Sequence, residues 1–264
     1  PMMLLAHEIF GDDHDGPTLL IAHGLFGQGR NWGSLAKRLA RRRRVVTVDM
    51  RNHGDSPWAE TGSYRDMAGD LAETIDAVAG GHADILGHSM GGKAAMVLAL
   101  TRPETVNRLI VADIAPVAYN HSHARYIAAM RSVYLPGIAR RFDADPALAD
   151  AIPEAPLRAF ILQNLVVESG RARWKPNLDV LARTTDELLR FPHGLPERFD
   201  GPALFLHGGA SDYVTPEKQP EIRRRFPAAA IETITGAGHW LHAEKPAAFL
   251  ETVETFLERP RSED

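Results

Sequence analysis

Short apolar runs alternate along the chain with segments whose apolar residues recur at helical spacing. Such runs predict buried strands of a mainly parallel sheet, because both faces of these strands are covered. The predicted strands span residues 18–23, 44–49, 83–88, 107–113, 203–207 and 229–234, and the predicted helices span residues 31–40, 64–79, 90–101, 216–226 and 245–257. This alternation is typical of the α/β class, with a mostly parallel sheet flanked by helices.

The first apolar segment, residues 4–10, predicts a strand of another kind. A glycine-containing turn at residues 11–16 follows it, and the chain then returns along Thr18. A strand joined to the next one by a short turn is expected to pair in the antiparallel direction. The pattern therefore predicts an antiparallel strand at one edge of the sheet.

The stretch from residue 116 to residue 200 interrupts the alternation. It predicts several helices, at residues 122–140, 156–167 and 178–189, separated by prolines and a glycine. Loops at the carboxyl ends of the strands flank the site in open α/β sheets, so an insertion here would cover it. We expect an α/β core formed by residues 1–115 and 201–264, with residues 116–200 as a helical cap.

Composition and charge narrow the function classes. The 264 residues are 44% hydrophobic and 24% charged, the balance of a globular protein. The formal net charge of -4 argues against a nucleic-acid-binding protein, because neutralising phosphates needs a basic surface. The basic run at residues 41–44 follows a predicted helix, where cations stabilise the helix end.

Cysteine usage and the first residues bear on compartment. The chain has no cysteine, which excludes disulfides, thiolate metal sites and a cysteine nucleophile. The apolar run after Pro1 ends at Leu5, too short for a signal peptide or a membrane span. We therefore expect a cytoplasmic protein with no membrane partner.

The strongest chemical motif is Gly87-His88-Ser89-Met90-Gly91, between a predicted strand and a predicted helix. In this context the pattern G-x-S-x-G is a nucleophile elbow, in which the glycines leave room for a sharp turn. Ser89 would then stand at the top of the sheet beside a helix N-terminus, whose dipole favours developing negative charge. We expect Ser89 to be a nucleophile.

A serine hydroxyl needs a base to remove its proton, and His239 is the best candidate. It lies in a glycine-rich segment after the last predicted strand and before the final helix. In proteins with a nucleophile elbow, the catalytic histidine follows the serine and the acid along the chain. His242 is the weaker alternative because it lies nearer the helix. The histidine pairs lack the carboxylate and third ligand that catalytic zinc requires, so we expect no metal and no cofactor.

Two aspartates could orient the histidine. Asp212 follows a predicted strand, at the position where proteins with a nucleophile elbow most often carry the acid. Asp113 ends the predicted strand before that one. Either could present a carboxylate to the distal ring nitrogen of His239. The pattern of residues leaves both open.

An oxyanion hole needs two backbone N–H groups. The residue after the nucleophile, Met90, supplies one. The loop at residues 23–27 follows an apolar strand and can supply the other, from Leu25 with Phe26 as the alternative. Such a donor contributes roughly 3 kcal/mol to transition-state stabilisation.

With these motifs in place, the whole chain resembles the α/β-hydrolase superfamily, and its finer motifs resemble the YbfF-like bacterial esterases. Those motifs lie at residues 23–27, 49–56, 87–93, 113–116 and 238–240. The resemblance implies activity on short acyl esters and acyl-CoA-type thioesters. It also implies that Asp113 is the acid, although Asp212 departs from the YbfF-like pattern by placing a second aspartate at the commoner position.

We therefore predict a serine carboxylesterase or thioesterase that forms an acyl-enzyme on Ser89 and acts on a small-molecule acyl ester or thioester. The serine argues against dehalogenases and epoxide hydrolases of this fold, which need an aspartate there. One alternative is a carbon–carbon bond hydrolase or lyase, which predicts a cationic cap residue such as Arg125, Arg131 or Arg173. Another is a non-catalytic receptor for a small ligand.

Aromatic residues in and near the cap are candidates for lining an acyl pocket. They are Tyr119, Tyr134, Trp174 and Trp240. Apolar residues at helical spacing more often form a domain's own core. A helical cap usually limits the pocket to a few hundred cubic ångströms, so we expect a preference for acyl chains of about two to eight carbons.

Overall fold

The computed structural model describes residues 2–260, and within them the chain forms a seven-stranded main sheet. The strands are β1 His7–Phe10, β2 Leu19–Ala22, β3 Val45–Val48, β4 Ala83–His88, β5 Val106–Ala112, β6 Leu165–Glu168, β7 Arg171–Trp174, β8 Ala203–Gly208 and β9 Ala229–Ile234. In the main sheet the strand order is β1-β3-β2-β4-β5-β8-β9. β6 and β7 form a separate antiparallel pair. The predicted mostly parallel sheet flanked by helices is confirmed.

Helices cover the sheet and recur through the long insertion. They are α1 Gly33–Leu39, α2 Tyr64–Ala79, α3 Met90–Thr101, α4 Ala124–Ser132, α5 Asp145–Leu148, α6 Ala155–Leu162, α7 Leu178–Leu188, α8 Gln219–Arg225, α9 Leu241–Glu244 and α10 Pro246–Leu257. Short 3-10 turns precede α1 and α8, at Gly29–Trp32 and Pro216–Lys218. No helix within residues 2–260 is both long and apolar enough to cross a bilayer.

Alternate residues of the central strands pack on opposite faces of the sheet. Leu20 of β2 packs with α2, α3 and α8 in one hydrophobic cluster, whereas Leu19 packs with α1, α9 and α10 in another. Because successive strand side chains point to opposite faces, a strand buried on both sides must be apolar throughout. This explains the continuous apolar runs of the sequence.

The edge strand β1 is antiparallel, but its neighbour is not the predicted one. β1 pairs with β3, placing Ile9 opposite Val46, whereas the sequence predicts a return beside Thr18. Gly11 has a φ of 65°, and a Cβ there would lie 2.8 Å from the Ala40 carbonyl oxygen. The turn after β1 therefore packs against the connection that leads into β3, which sets β1 beside β3.

The chain between β5 and β8 holds α4 to α7 and the β6–β7 hairpin. Two helix predictions there were too long: α4 ends at Ser132, and α6 ends at Leu162 before β6 begins. Residues of this stretch form a third hydrophobic cluster, which includes Phe26 of the core. The division of the chain into a core and a cap stays a prediction.

Candidate active site

Ser89 lies at a sharp turn between β4 and α3. Its φ of 54° and ψ of -116° are unusual for a residue with a side chain. A Cβ at Gly87 would overlap the Gly91 carbonyl, and a Cβ at Gly91 would overlap the Ala22 carbonyl. The two glycines therefore permit the turn, which presents the Ser89 hydroxyl at the carboxyl end of the sheet.

The structure brings the predicted base to the serine. His239 lies in the loop after β9, with its Nε2 3.1 Å from the Ser89 Oγ and its Nδ1 2.7 Å from the Asp113 Oδ2. A neutral imidazole that donates from Nδ1 to the carboxylate leaves the Nε2 lone pair facing the serine hydroxyl. This arrangement can transfer the serine proton.

Of the two candidate acids, the structure places Asp113 at His239. The Asp113 side chain is fully buried after β5, and its two oxygens also accept hydrogen bonds from the Gly208 N–H at 3.0 Å and the Ser211 hydroxyl at 2.6 Å. The Asp212 side chain is exposed, and its backbone carbonyl accepts a hydrogen bond from Lys218. Three donors hold the Asp113 carboxylate in line with the imidazole.

The loop after β2 approaches the elbow closely. A Cβ on Gly24 would lie 3.3 Å from the Ser89 Cβ, so the glycine lets the two segments meet. The Leu25 N–H has no acceptor among residues 2–260, whereas the Phe26 N–H donates to the His53 Nε2 at 3.2 Å. The Leu25 N–H is therefore free to donate to a substrate oxygen, whereas the alternative, the Phe26 N–H, already has an acceptor.

Two buried neutral histidines support the site, and sequence reasoning did not assign them roles. Burial lowers the pKa of His23 and of His88 to about 3. His23 accepts a hydrogen bond from the Met50 N–H at 2.9 Å, and its Nδ1 donates to the Gly24 carbonyl at 2.7 Å. The His88 Nε2 donates to the His239 carbonyl at 2.8 Å, which fixes the backbone of the base.

Comparison with known proteins identifies the fold family. The pattern of the Alpha/beta hydrolase family matches residues 19–252. The chain belongs to the α/β-hydrolase family.

Among its relatives, this hydrolase is 45% identical to the sn-1-specific diacylglycerol lipase ABHD11 of Mus musculus, over 96% of this chain and 85% of the relative. It is 36% identical to the esterase YbfF of Escherichia coli strain K12, over 93% of this chain and 95% of the relative. A solved structure titled marine microorganism esterase has a TM-score of 0.91 and 39% identity, covering 96% of this chain and 99% of that chain. The predicted resemblance to YbfF-like esterases is confirmed.

A cavity of about 490 Å³ opens onto the Ser89 side chain of the hydrolase. Its wall includes Leu157 and Phe160 of α6, together with Tyr126 of α4. A smaller chamber of about 40 Å³ is also lined by Ser89. An acyl group and a leaving group could therefore approach the serine from a covered space.

The four aromatic candidates for a pocket lining fall in different places. Trp240 lines the cavity of about 490 Å³, and Tyr119 lines the chamber of about 40 Å³ instead. The other two predictions were wrong. Trp174 packs inside the insertion's own hydrophobic cluster, and Tyr134 is 76% exposed and lines neither cavity.

The weaker candidate for the base, His242, does not contact the serine. Its ring stacks on Trp32 at a centroid distance of 3.9 Å, and burial lowers its pKa well below the ordinary value.

Within residues 2–260, no three His, Asp or Glu side chains come together in a group that could hold a metal ion.

Two further residues contact His239 and Asp113, and the sequence motifs did not point to them. The Tyr213 ring stacks on His239, and the Ser211 hydroxyl donates to Asp113. Both residues flank Asp212, one of the two candidate acids, so their position in the sequence already suggests that they lie near the site.

Proposed function

We propose that this α/β hydrolase is a serine ester hydrolase that cleaves short to medium acyl esters through an acyl-enzyme on Ser89. The observation that carries the proposal is the continuous hydrogen-bonded line from the Ser89 hydroxyl through His239 to Asp113, beside a covered cavity. The names of the relatives, an esterase and a diacylglycerol lipase, support the same reaction class.

In the first half-reaction, the Ser89 Oγ attacks the ester carbonyl carbon while the His239 Nε2 takes the hydroxyl proton. The Asp113 carboxylate stabilises the imidazolium that forms. The carbonyl oxygen becomes an oxyanion, to which the N–H groups of Leu25 and Met90 donate. The tetrahedral intermediate collapses as His239 gives its proton to the leaving alcohol oxygen, and the acyl group remains on Ser89.

In the second half-reaction, water replaces the alcohol. His239 removes a proton from the water molecule, whose oxygen attacks the acyl carbonyl, and the same N–H groups hold the oxyanion. Collapse releases the carboxylic acid and returns the proton to the Ser89 Oγ. The chain's own side chains and backbone are sufficient for both steps.

The cavity supports the substrate range of the proposal. A volume of about 490 Å³ lies in the usual range for small-molecule sites, and its wall combines Leu157 and Phe160 with the polar ring of His121. We expect the best substrates to carry acyl chains of about two to eight carbons. Acyl-CoA-type thioesters belong to the same proposal, because a thiol is an easier leaving group than an alcohol.

A panel of nitrophenyl esters of increasing acyl length, assayed beside acyl-CoA thioesters, tests this proposal. We expect turnover of the shorter esters, and loss of at least about 1000-fold in kcat in Ser89→Ala. Ser122→Ala is the matched control, because Ser122 lines the same cavity and should leave the rate nearly unchanged. Faster turnover of emulsified long-chain triglycerides would contradict the chain-length range, and full activity in Ser89→Ala would contradict the mechanism.

Carbon–carbon bond hydrolysis or lyase chemistry is the second candidate, and one observation favours it. Arg125 lines the cavity of about 490 Å³, where it could hold a substrate carboxylate. The other two candidates are close to carboxylates of the protein itself: Arg131 lies 3.1 Å from Asp179, and Arg173 lies 4.0 Å from Glu168. Turnover of a diketone acid with no turnover of nitrophenyl esters would favour this candidate. A small-ligand receptor would turn over neither class.

A further inference from the structure

The loop after β8 contacts both the acid and the base of the proposed triad, although its own aspartate contacts neither. Ser211 donates to the Asp113 Oδ2, the oxygen that also accepts from the His239 Nδ1. Two residues later, the Tyr213 ring stacks on the His239 imidazole at a centroid distance of 3.8 Å and an interplanar angle of 18°. Asp212 lies between them with its side chain exposed.

Tyr213 is itself held at several atoms. Its N–H donates to the Ser211 Oγ at 3.2 Å, and its carbonyl accepts from the Tyr119 hydroxyl at 2.7 Å. Its own hydroxyl is hydrogen-bonded to the His121 Nε2, with 2.8 Å between the two atoms. Burial lowers the pKa of His121 and so favours the neutral imidazole. The stacked ring therefore has little freedom to move away from His239.

We propose that Tyr213 is a positioning residue for His239 and that it acts through its aromatic face. The hydrogen bonds to Ser89 and Asp113 use the two ring nitrogens and leave the imidazole free to tilt about the line that joins them. A fixed ring against one face removes that freedom, and its electron-rich π system favours the imidazolium formed during attack. The inference rests on the proposed function, since it concerns the base of that reaction.

The other rings near His239 are not placed to do this. The His88 ring lies 4.8 Å away at an interplanar angle of 40°, and the Trp240 ring lies 5.6 Å away at 71°. Among the rings of residues 2–260 that contact His239, Tyr213 is therefore the one that stacks face to face.

Two substitutions at this position separate the ring from its hydroxyl. Tyr213→Leu removes the stacked face, and Tyr213→Phe keeps the face while removing the hydrogen bond to His121. Tyr134→Leu is the matched control, because it makes the same change at a tyrosine that is 76% exposed. kcat and KM for a nitrophenyl butyrate are measured for each, with the thermal unfolding midpoint as a check on folding.

We expect kcat to fall about tenfold in Tyr213→Leu, with KM within about twofold of the wild type, because an interaction with the imidazolium is made mainly in the transition state. Tyr213→Phe should stay within about threefold of the wild-type kcat, and Tyr134→Leu should match the wild type. This rescue by the conservative variant is not expected from a merely structural role.

Wild-type kcat in a folded Tyr213→Leu protein would overturn the inference, as would a Tyr213→Phe protein that is as slow as Tyr213→Leu. If Tyr213→Leu does not fold, NMR of the wild type decides, because the stacked ring must shift the His239 ring protons upfield. Unshifted protons would overturn the stacking. Inactivity of the wild type on every ester would instead contradict the proposed function, so the two failures are distinguishable.

Discussion

Asp113 illustrates how single residues decide the geometry of this site. It adopts a φ of 54°, and its N–H donates to the Leu206 carbonyl at 2.7 Å, which directs the side chain towards the loops after β8 and β9. β5 and β8 are neighbouring strands, so an aspartate that follows either strand could reach His239. For that reason the residue pattern alone does not choose between Asp113 and Asp212. The path of the backbone decides which carboxylate contacts the imidazole.

Substitution of each aspartate in turn tests this assignment. Asp113→Asn should lower kcat by about 1000-fold or more, because the amide cannot stabilise the imidazolium and favours the wrong tautomer of His239. Asp212→Asn is the matched control and should stay within about twofold of the wild type, since its side chain is exposed. Steady-state kinetics on one nitrophenyl ester measure both, and the reverse order of effects would contradict the assignment.

At the scale of secondary-structure elements, the sequence was most informative where a strand leads directly into the site. β4, α3 and β9 have the predicted bounds. Glycines on both sides of the β4 segment leave few alternatives there, and Pro227 and Gly236 limit β9. The apolar run at residues 165–167 was assigned to a helix but forms β6. Short apolar runs fit either element, and here the turn at Ser169 and Gly170, both with positive φ, makes a hairpin.

A buried lysine joins two helices that are far apart in sequence. The Nζ of Lys93 on α3 donates to the carbonyls of Leu189 at 3.2 Å and Arg190 at 2.9 Å, just beyond the end of α7. Carbonyls at a helix end lack donors within the helix and need other partners when they are buried. The Leu189 carbonyl also accepts from the Tyr119 N–H at 2.8 Å. Lys93 therefore links the elbow helix to the inserted segment.

Loss of this link should destabilise the protein. Lys93→Met leaves the Arg190 carbonyl without this donor, whereas the Leu189 carbonyl keeps its hydrogen bond from the Tyr119 N–H. We expect the free energy of unfolding to fall by about 2 kcal/mol. Lys37→Met, at an exposed lysine of α1, is the matched control and should change it by less than about 0.5 kcal/mol. Urea denaturation measures both, and equal effects would contradict the role given to Lys93.

At the scale of the whole molecule, the motifs predicted which side chains meet at the elbow far better than they predicted the cavity around them. Ser89, His239 and the loop of Leu25 lie together as expected, because each belongs to a motif with a fixed local sequence. The positions of Tyr134 and Trp174 depend instead on how the helices of the insertion pack on one another, which no local pattern determines. The same limit applies to Tyr213, whose role comes from a contact between two loops.

The buried histidines also make the stability of the whole molecule depend on pH. The pKa values of His23 and His88 are about 3 in the folded state and ordinarily 6.5, so the unfolded chain binds more protons between these values. Stability is therefore fully present above about pH 6.5 and falls as the pH is lowered towards 3. Each such histidine should contribute a slope of about 1.4 kcal/mol per pH unit near pH 5.

Urea denaturation at several pH values between 4.5 and 7 measures this slope. We expect His88→Gln, whose amide can still donate to the His239 carbonyl, to reduce the proton uptake on unfolding by roughly one proton. His207→Gln is the control, because His207 forms its hydrogen bond with Thr233 in an exposed setting. A stability that does not change across this range would contradict the burial of neutral histidines.

The most direct test of the central claim, that the Ser89 hydroxyl is a nucleophile activated by His239, is covalent labelling with a fluorophosphonate followed by peptide mass mapping. If His239 activates Ser89, we expect one adduct on Ser89, no adduct in Ser89→Ala, and labelling slowed by about 100-fold or more in His239→Ala. A folded wild-type protein that is not labelled, or one labelled at another residue, would contradict it.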